Sequence, residues 1–321
     1  MEHIASISRS SGLEKDGDTL KDFRVQEEYR AFLQGKVNDV LSRYSRRASE
    51  SESEARQRID AQENLLILFR KLREGVSSSR RRDAFVLEVY ETSLYLTSIF
   101  DASRQTTSVI PHLLPELYLS SPPPHPNCTT TILVSLAHYL VAGYPSQLSF
   151  RQHLNAIPSS MFPRTSEALK WINSLSRSLR MRNYIKFEEL TGRSAISRLF
   201  SDSGMDTDTL SSALASLSIV MEDNNNALSR QALEVLIDNL RKKARATTWD
   251  VIRSAYREMS FATTAEGNGT RDWLTCSLCL RPLMPYEVEL DLEMWLEQQN
   301  FLGNVRRKEG VGGQWIICKV R

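Results

Sequence analysis

A Cys-x-x-Cys pair, Cys276-Ser-Leu-Cys279, is the pattern in this chain closest to reactive chemistry. A structural zinc ion takes four ligands, usually thiolates and imidazoles. Only Cys318 lies near in sequence, and no histidine follows His153. A redox pair opens a helix after a strand and uses the helix N-terminus to lower a thiol pKa. Here the pair falls late in a short helical segment, beside Trp273 and Leu278, so it reads as two small core cysteines. The five histidines (His3, His112, His125, His138, His153) are far apart, with no neighbouring acid or thiol. No Gly-rich phosphate loop, HExxH or GxSxG occurs. No catalytic, cofactor-binding or metal-binding residue is assigned. The expectation is a protein that is not an enzyme, with no cofactor and no small-molecule substrate.

Two further clusters carry charge. Lys242, Arg245, Trp249, Arg253 and Arg257 recur at spacings of three and four, which would place them on one helix face. Such a stripe is a candidate surface for tracking phosphates with one aromatic for stacking, and equally an ordinary solvated face. The formal net charge of +2 supplies no general field for a polyanion. Ser45-Arg46-Arg47-Ala48-Ser49 resembles a basophilic kinase site, and Ser51 and Ser53 alternate with glutamates. Phosphate on Ser49, Ser51 or Ser53 would make this segment strongly anionic.

These residues need a scaffold, and its signals are helical. No apolar run approaches the roughly 20 residues that span a bilayer, and the first ten residues lack the apolar stretch of a signal peptide. Four scattered cysteines do not form a disulfide framework. The expected setting is cytoplasmic or nuclear. Apolar residues at helical spacing run from Leu20 to Tyr44, from about Glu54 to a cap at Gly75, and from Asp83 to Phe100. Ser45–Glu54 and Ser77–Arg82 read as polar breaks, and the Ser-Pro-Pro-Pro-His-Pro-Asn stretch as a loop. Thr129–Ala142 is apolar nearly all round and belongs deep in a core. Ser149 and Thr165 are candidate N-caps of the next two helices. The longest helix is expected from about Ala232 to Ser260, with Thr247 and Thr248 as a candidate bend.

After that helix come two shorter helical segments, Arg271–Leu280 and Val288–Gln299. A hairpin follows: Asn304–Glu309, a Gly-rich turn, and Gln314–Arg321. Helix, helix, hairpin is the order of a winged helix, used either to bind nucleic acid or to join protein subunits. Glu287, Glu289, Asp291, Glu293 and Glu297 make the helix before the hairpin acidic, which opposes groove reading. Alternation in the last strand groups Ile316, Cys318 and Val320 on one face and Trp315, Ile317 and Lys319 on the other. With Ile316 inward, Trp315, Ile317 and Lys319, together with Arg306 and Arg307, form a candidate partner-binding surface. Trp315 folded back onto the helices is the alternative.

Three stretches carry a family resemblance: Leu133–Pro158, Asn183–Leu190 and, most specific, Leu233–Phe261 with its Ala255-Tyr256 pair. In these the chain resembles the PCI-domain superfamily. The likeness is to its small-subunit branch, with the proteasome lid non-ATPase subunit 8, COP9 signalosome subunit 8 and the k subunit of initiation factor three. It is also similar to the related GANP-type export proteins. The resemblance implies a mainly α fold, a helical-repeat (TPR-like α-solenoid) body with a C-terminal winged-helix domain carrying a small β-hairpin. The expected division is 1–82 as N-terminal helices with charged linkers, 83–260 as the body and 261–321 as the winged helix, with 83–321 PCI-like. It further implies a non-catalytic scaffold or adaptor whose partners are other PCI-type or complex subunits. The alternative is a nucleic-acid-associated adaptor in mRNA export or processing, acting through the basic stripe. No membrane association is expected.

Overall fold

The computed structural model describes residues 19–44, 50–201, 215–261, 268–284, 290–310 and 313–318. The chain is mainly helical with one small sheet. In order it forms α1 (Phe23–Arg43), α2 (Glu52–Ser78), α3 (Ala84–Ile99), α4 (Ser103–Leu113), α5 (Glu116–Ser120), α6 (Cys128–Gly143), α7 (Leu148–Ala156) and α8 (Glu167–Arg180). Then follow α9 (Tyr184–Thr191), α10 (Arg193–Ser201), α11 (Ala215–Ala255), β1 (Glu258–Ser260), α12 (Asn268–Ser277), α13 (Leu292–Phe301), β2 (Val305–Arg307) and β3 (Gln314–Ile317). Among the described residues no helix is long and apolar enough to cross a membrane.

Local chemistry sets several helix starts. Asp22, Asp83, Ser166, Asn183 and Asp291 each accept hydrogen bonds from first-turn N–H groups. Ser166, not Thr165, caps α8, and α7 begins at Leu148 without a side-chain cap. Ser51 and Glu54 form a reciprocal capping box, so α2 opens at Glu52, inside the stretch expected to be a linker. Gly75 does not end α2, which continues to Ser78. Its role is close approach: a Cβ there would lie 2.7 Å from the Leu20 carbonyl oxygen.

Consecutive helices pack on one another: α1 on α2, α3 on α4, α6 on α7, α8 on α9. The spine α11 then packs on α3, α6 and α9, elements far earlier in the chain. One apolar core runs from Leu20 through Phe69, Tyr95, Ile132, Leu136 and Phe187 to Leu233, Ile237 and Leu240. The all-round apolar helix α6 lies in its centre, as its composition predicts. The N-terminal helices share this core, so residue 82 is no physical boundary. Polar links reinforce the join. Arg81 lies between the Phe23 and Phe85 rings and pairs with Glu27 at 2.6 Å and Asp83 at 2.7 Å. Buried Arg30 makes a forked contact with Glu88.

A second core holds Trp249, Ile252, Met259, Leu274, Leu278, Trp295, Leu296, Val305, Trp315 and Ile317. The spine passes from one core to the other between Ala244 and Trp249. Thr247 and Thr248 bond back to the Lys243 and Ala244 carbonyls without interrupting it. The helix ends at Ala255, and Glu258–Ser260, expected as its last turn, is a strand. The sheet is antiparallel, in the order β1-β3-β2.

Candidate protein-interaction site

The C-terminal unit is built around β3. The rows across the sheet are Met259–Trp315–Arg307 and Glu258–Ile316–Arg306, followed by Ile317–Val305. Met259, Trp315, Ile317 and Val305 are all buried, with Trp315 only 2% exposed. The inward face of the hairpin is therefore the one expected to point out. Both faces of this strand are apolar, and the larger indole gains more from burial than isoleucine does. Trp315 and Ile317 are core residues, not partner contacts. Arg307 works from the same side: its guanidinium stacks 5.1 Å from the Trp315 ring centre and pairs with Glu297 of α13 at 2.6 Å.

The outward row is polar with one apolar residue. Arg306 and Glu258 are exposed and Ile316 is half-buried between them. Lys308 pairs with Glu258 at 3.0 Å across the sheet. The Lys308 N–H donates to Gln314 and the Cys318 N–H to Asn304. By antiparallel alternation, the N–H and C=O of Val305 and Arg307 then point away from β3. β2 is an edge strand with no further strand beside it among the described residues. At the tip, Gly313 has φ +72 and its carbonyl accepts from the Phe261 N–H at 2.8 Å. A Cβ there would meet the Phe261 oxygen at 2.6 Å, so glycine is required. Lys319 lies outside the described residues.

The basic stripe is not an exposed surface. Arg245 donates to the Leu278 carbonyl at 2.8 Å and the Cys279 carbonyl at 2.7 Å. Arg253 donates to the Cys318 carbonyl at 3.1 Å. Lys242 pairs with Asp238 at 2.5 Å. Trp249 is buried, set edge-on to Trp295 with ring centres 4.6 Å apart. Of the five, Arg257 alone is exposed. The face that spacing assigns to a nucleic acid is the one that holds the C-terminal unit.

That joint has a hub that sequence reading missed. Arg241, 2% exposed, donates to Thr191 Oγ1 at 2.8 Å and to the Arg281 carbonyl at 2.7 Å, with the Cys279 carbonyl at 3.5 Å. Thr191 ends α9, and Cys279 follows α12, so the guanidinium sits where two helix C-termini meet. Their partial negative charge offsets part of the cost of burying a cation. Arg193 adds a bond to the Leu283 carbonyl at 3.0 Å. Main-chain carbonyls carry no side-chain signature, so only a run of apolar spacing around Arg241 hinted at its burial.

The thiols are held away from reactivity. Cys279 is buried in the left-handed region, φ +49, closing α12, and burial pushes its thiol up to about 11. Burial also raises the Cys276 thiol. Both pKa shifts disfavour the thiolate that attack or metal binding requires. Among the described residues no group of three or more histidines, cysteines and carboxylates could hold a metal.

Two polar clusters lie in the body. His153 Nε2 is 2.9 Å from Ser135 Oγ, superficially a nucleophile and base. Ser135 is fully buried and its single proton goes to the Ile132 carbonyl at 2.8 Å. His153 Nε2 must then carry the proton, which leaves it no base for Ser135. The same count applies to Thr107, bonded to the Ser103 carbonyl, and His138. Burial holds both imidazoles down to about 4. In the second cluster, Tyr118 donates to Glu91 Oε1 and Asn127 donates to Oε2 at 3.2 Å. Thr131 Oγ1 lies 2.9 Å from the Tyr118 hydroxyl and 2.6 Å from that of Tyr95. Burial raises the Glu91 carboxyl to about 7. This network fastens the Pro-rich loop to α3 and α6.

Comparison with protein-family models, curated proteins and solved structures returns no match.

The candidate phosphosites divide. Ser51 is engaged in the capping box, Ser53 is exposed in the first turn of α2, and Ser49 lies outside the described residues. The acidic helix before the hairpin is balanced internally: Asp291 and Glu293 pair with Arg271, and Glu297 with Arg307. Glu287 and Glu289 lie outside the described residues.

Proposed function

We propose that the chain is a non-catalytic scaffold or adaptor subunit of a large intracellular assembly. Its C-terminal unit acts as a winged-helix module that docks on neighbouring subunits, as in PCI-type proteins. One observation carries this reading: strands in the order β1-β3-β2, with α12 and α13 between the first and second strands. A winged helix has this connectivity. The unit has its own apolar core and is fastened to a rigid spine by arginines, which suits a part that transmits position rather than one that turns over a substrate.

The geometry of the sheet supports one docking surface. It consists of the open edge at Val305 and Arg307 together with the outward row Arg306, Ile316 and Glu258. A partner strand adding to that edge gains main-chain hydrogen bonds, and the outward row supplies selectivity. The test is co-purification with mass spectrometry, comparing the chain with an Arg306→Glu, Ile316→Asp variant. The wild-type chain is expected to bring down reproducible partners and the variant to lose them at an unchanged melting temperature. Equal recovery by both chains contradicts this docking surface.

A further inference from the structure

A groove of about 510 Å³ lies on the body, where the α6–α7 turn faces the end of α8 and the start of α9, with Thr247 of the spine at its border. Pro145, Leu148, Arg151, Arg180 and Arg182 line it, over a floor that includes Tyr144 and Tyr184. Among the described residues no aspartate or glutamate lines it. The three arginines are exposed, and none makes a side-chain hydrogen bond or ion pair among the described residues. Arg182 is held in the left-handed region, φ +54, by the turn that closes α8, in which the Asn183 N–H returns to the Ser178 carbonyl at 2.9 Å. Arg180 gains something from the C-terminal dipole of α8. Arg182, in the turn that closes the same helix, lies at that terminus as well, whereas Arg151 belongs to α7.

The apolar part of the groove is open as well. Leu148 is 64% exposed, and on the bordering segment Met181 is 65% exposed. The aromatic rings are not offered to a ligand in this way. Tyr184 is 8% exposed, and Tyr144 is half-buried. A single-stranded nucleic acid needs open aromatic faces on which bases stack. An acidic segment with aliphatic side chains needs what is present, unopposed guanidiniums that take carboxylates in a forked geometry beside an aliphatic shelf.

We propose that this groove binds a short acidic–aliphatic peptide segment of a partner protein. Its carboxylates sit on Arg151, Arg180 and Arg182, and a leucine-like side chain sits on Pro145 and Leu148. The site is independent of the C-terminal docking surface.

The probe is a short fluorescent peptide alternating Asp-Glu pairs with leucines, titrated with the full chain and followed by anisotropy. The comparison ligands are the same peptide with serines for leucines and an oligouridylate of equal charge. Saturable binding is expected. It should fall about tenfold or more in an Arg151→Glu, Arg180→Glu, Arg182→Glu variant and several-fold in Leu148→Asp. The serine peptide should bind several-fold more weakly, and oligouridylate should not displace the probe. If the triple variant melts early, the single changes Arg151→Gln, Arg180→Gln and Arg182→Gln must each still weaken binding. Absence of saturable binding, full binding by the charge-reversed variant, indifference to the leucines or displacement by oligouridylate overturns the proposal.

Discussion

Two sets of arginines stand out in this molecule, and they do opposite work. Those at the joint (Arg193, Arg241, Arg245 and Arg253) turn inward and cap main-chain carbonyls of the C-terminal unit. Those at the body groove (Arg151, Arg180 and Arg182) face solvent with no acid beside them among the described residues. In sequence both are arginines on or beside amphipathic helices. What separates them is whether a second element brings carbonyls to the guanidinium. A basic stripe is thus evidence about a helix face and says nothing of what covers that face. The hairpin repeats the lesson: Arg307 is latched to Trp315 and Glu297, whereas Arg306, one residue earlier, is open.

Substitutions can break this division or sharpen it. The largest effect is expected at Trp315, where Ala should cost about 3–5 kcal/mol in chemical denaturation. An exposed docking tryptophan would cost almost nothing. Next, Arg241→Met should destabilise by about 3 kcal/mol, because it leaves buried acceptors unpaired. Hydrogen exchange should show α12 and the hairpin loosening before the body does. If Arg241→Met is silent, the joint is not held as described.

The body offers a pH test of comparable but smaller size. The Glu91 carboxyl rises from 4.5 to about 7, so it is neutral in both folded and unfolded chains below 4.5 and ionised in both above about 7. Its penalty grows as pH rises between those limits and is fully present above them. Glu91→Gln should therefore stabilise the chain at pH 8 by roughly 2–3 kcal/mol and have little effect at pH 4. His138 and His153 act with the opposite sign. Their pKa values fall from 6.5 to about 4, so their contribution is present above 6.5 and is lost as pH falls toward 4. Removing Glu91 should leave a steeper loss of stability on the acid side, measurable by melting temperature against pH. The smallest effect is at the groove, where Arg180→Ala should change stability by less than about 0.5 kcal/mol. A larger change there would mean that Arg180 has an internal partner.

The helical plan was legible because its signal is long. The stripe Leu233, Leu236, Ile237, Leu240 and Ala244 marked the spine, and the apolar run from Ile132 to Val141 marked the centre of the body. The strand β1 was not, since three residues with one buried side chain, Met259, give no alternation to detect. The parity of β3 was legible and its sense was not. Period two groups Trp315 with Ile317, but only the core they meet decides which face is inward. The joint was hidden for a similar reason, since its acceptors are backbone atoms of residues 278–281 and could follow any sequence.

The central claim, docking through the C-terminal sheet, is tested most directly by hydrogen–deuterium exchange on the isolated chain and on its co-purified assembly. The outward N–H groups of Val305 and Arg307 should exchange fast in the isolated chain and become protected in the assembly. Exchange at these positions that is the same in both samples, with protection appearing elsewhere, would contradict the account.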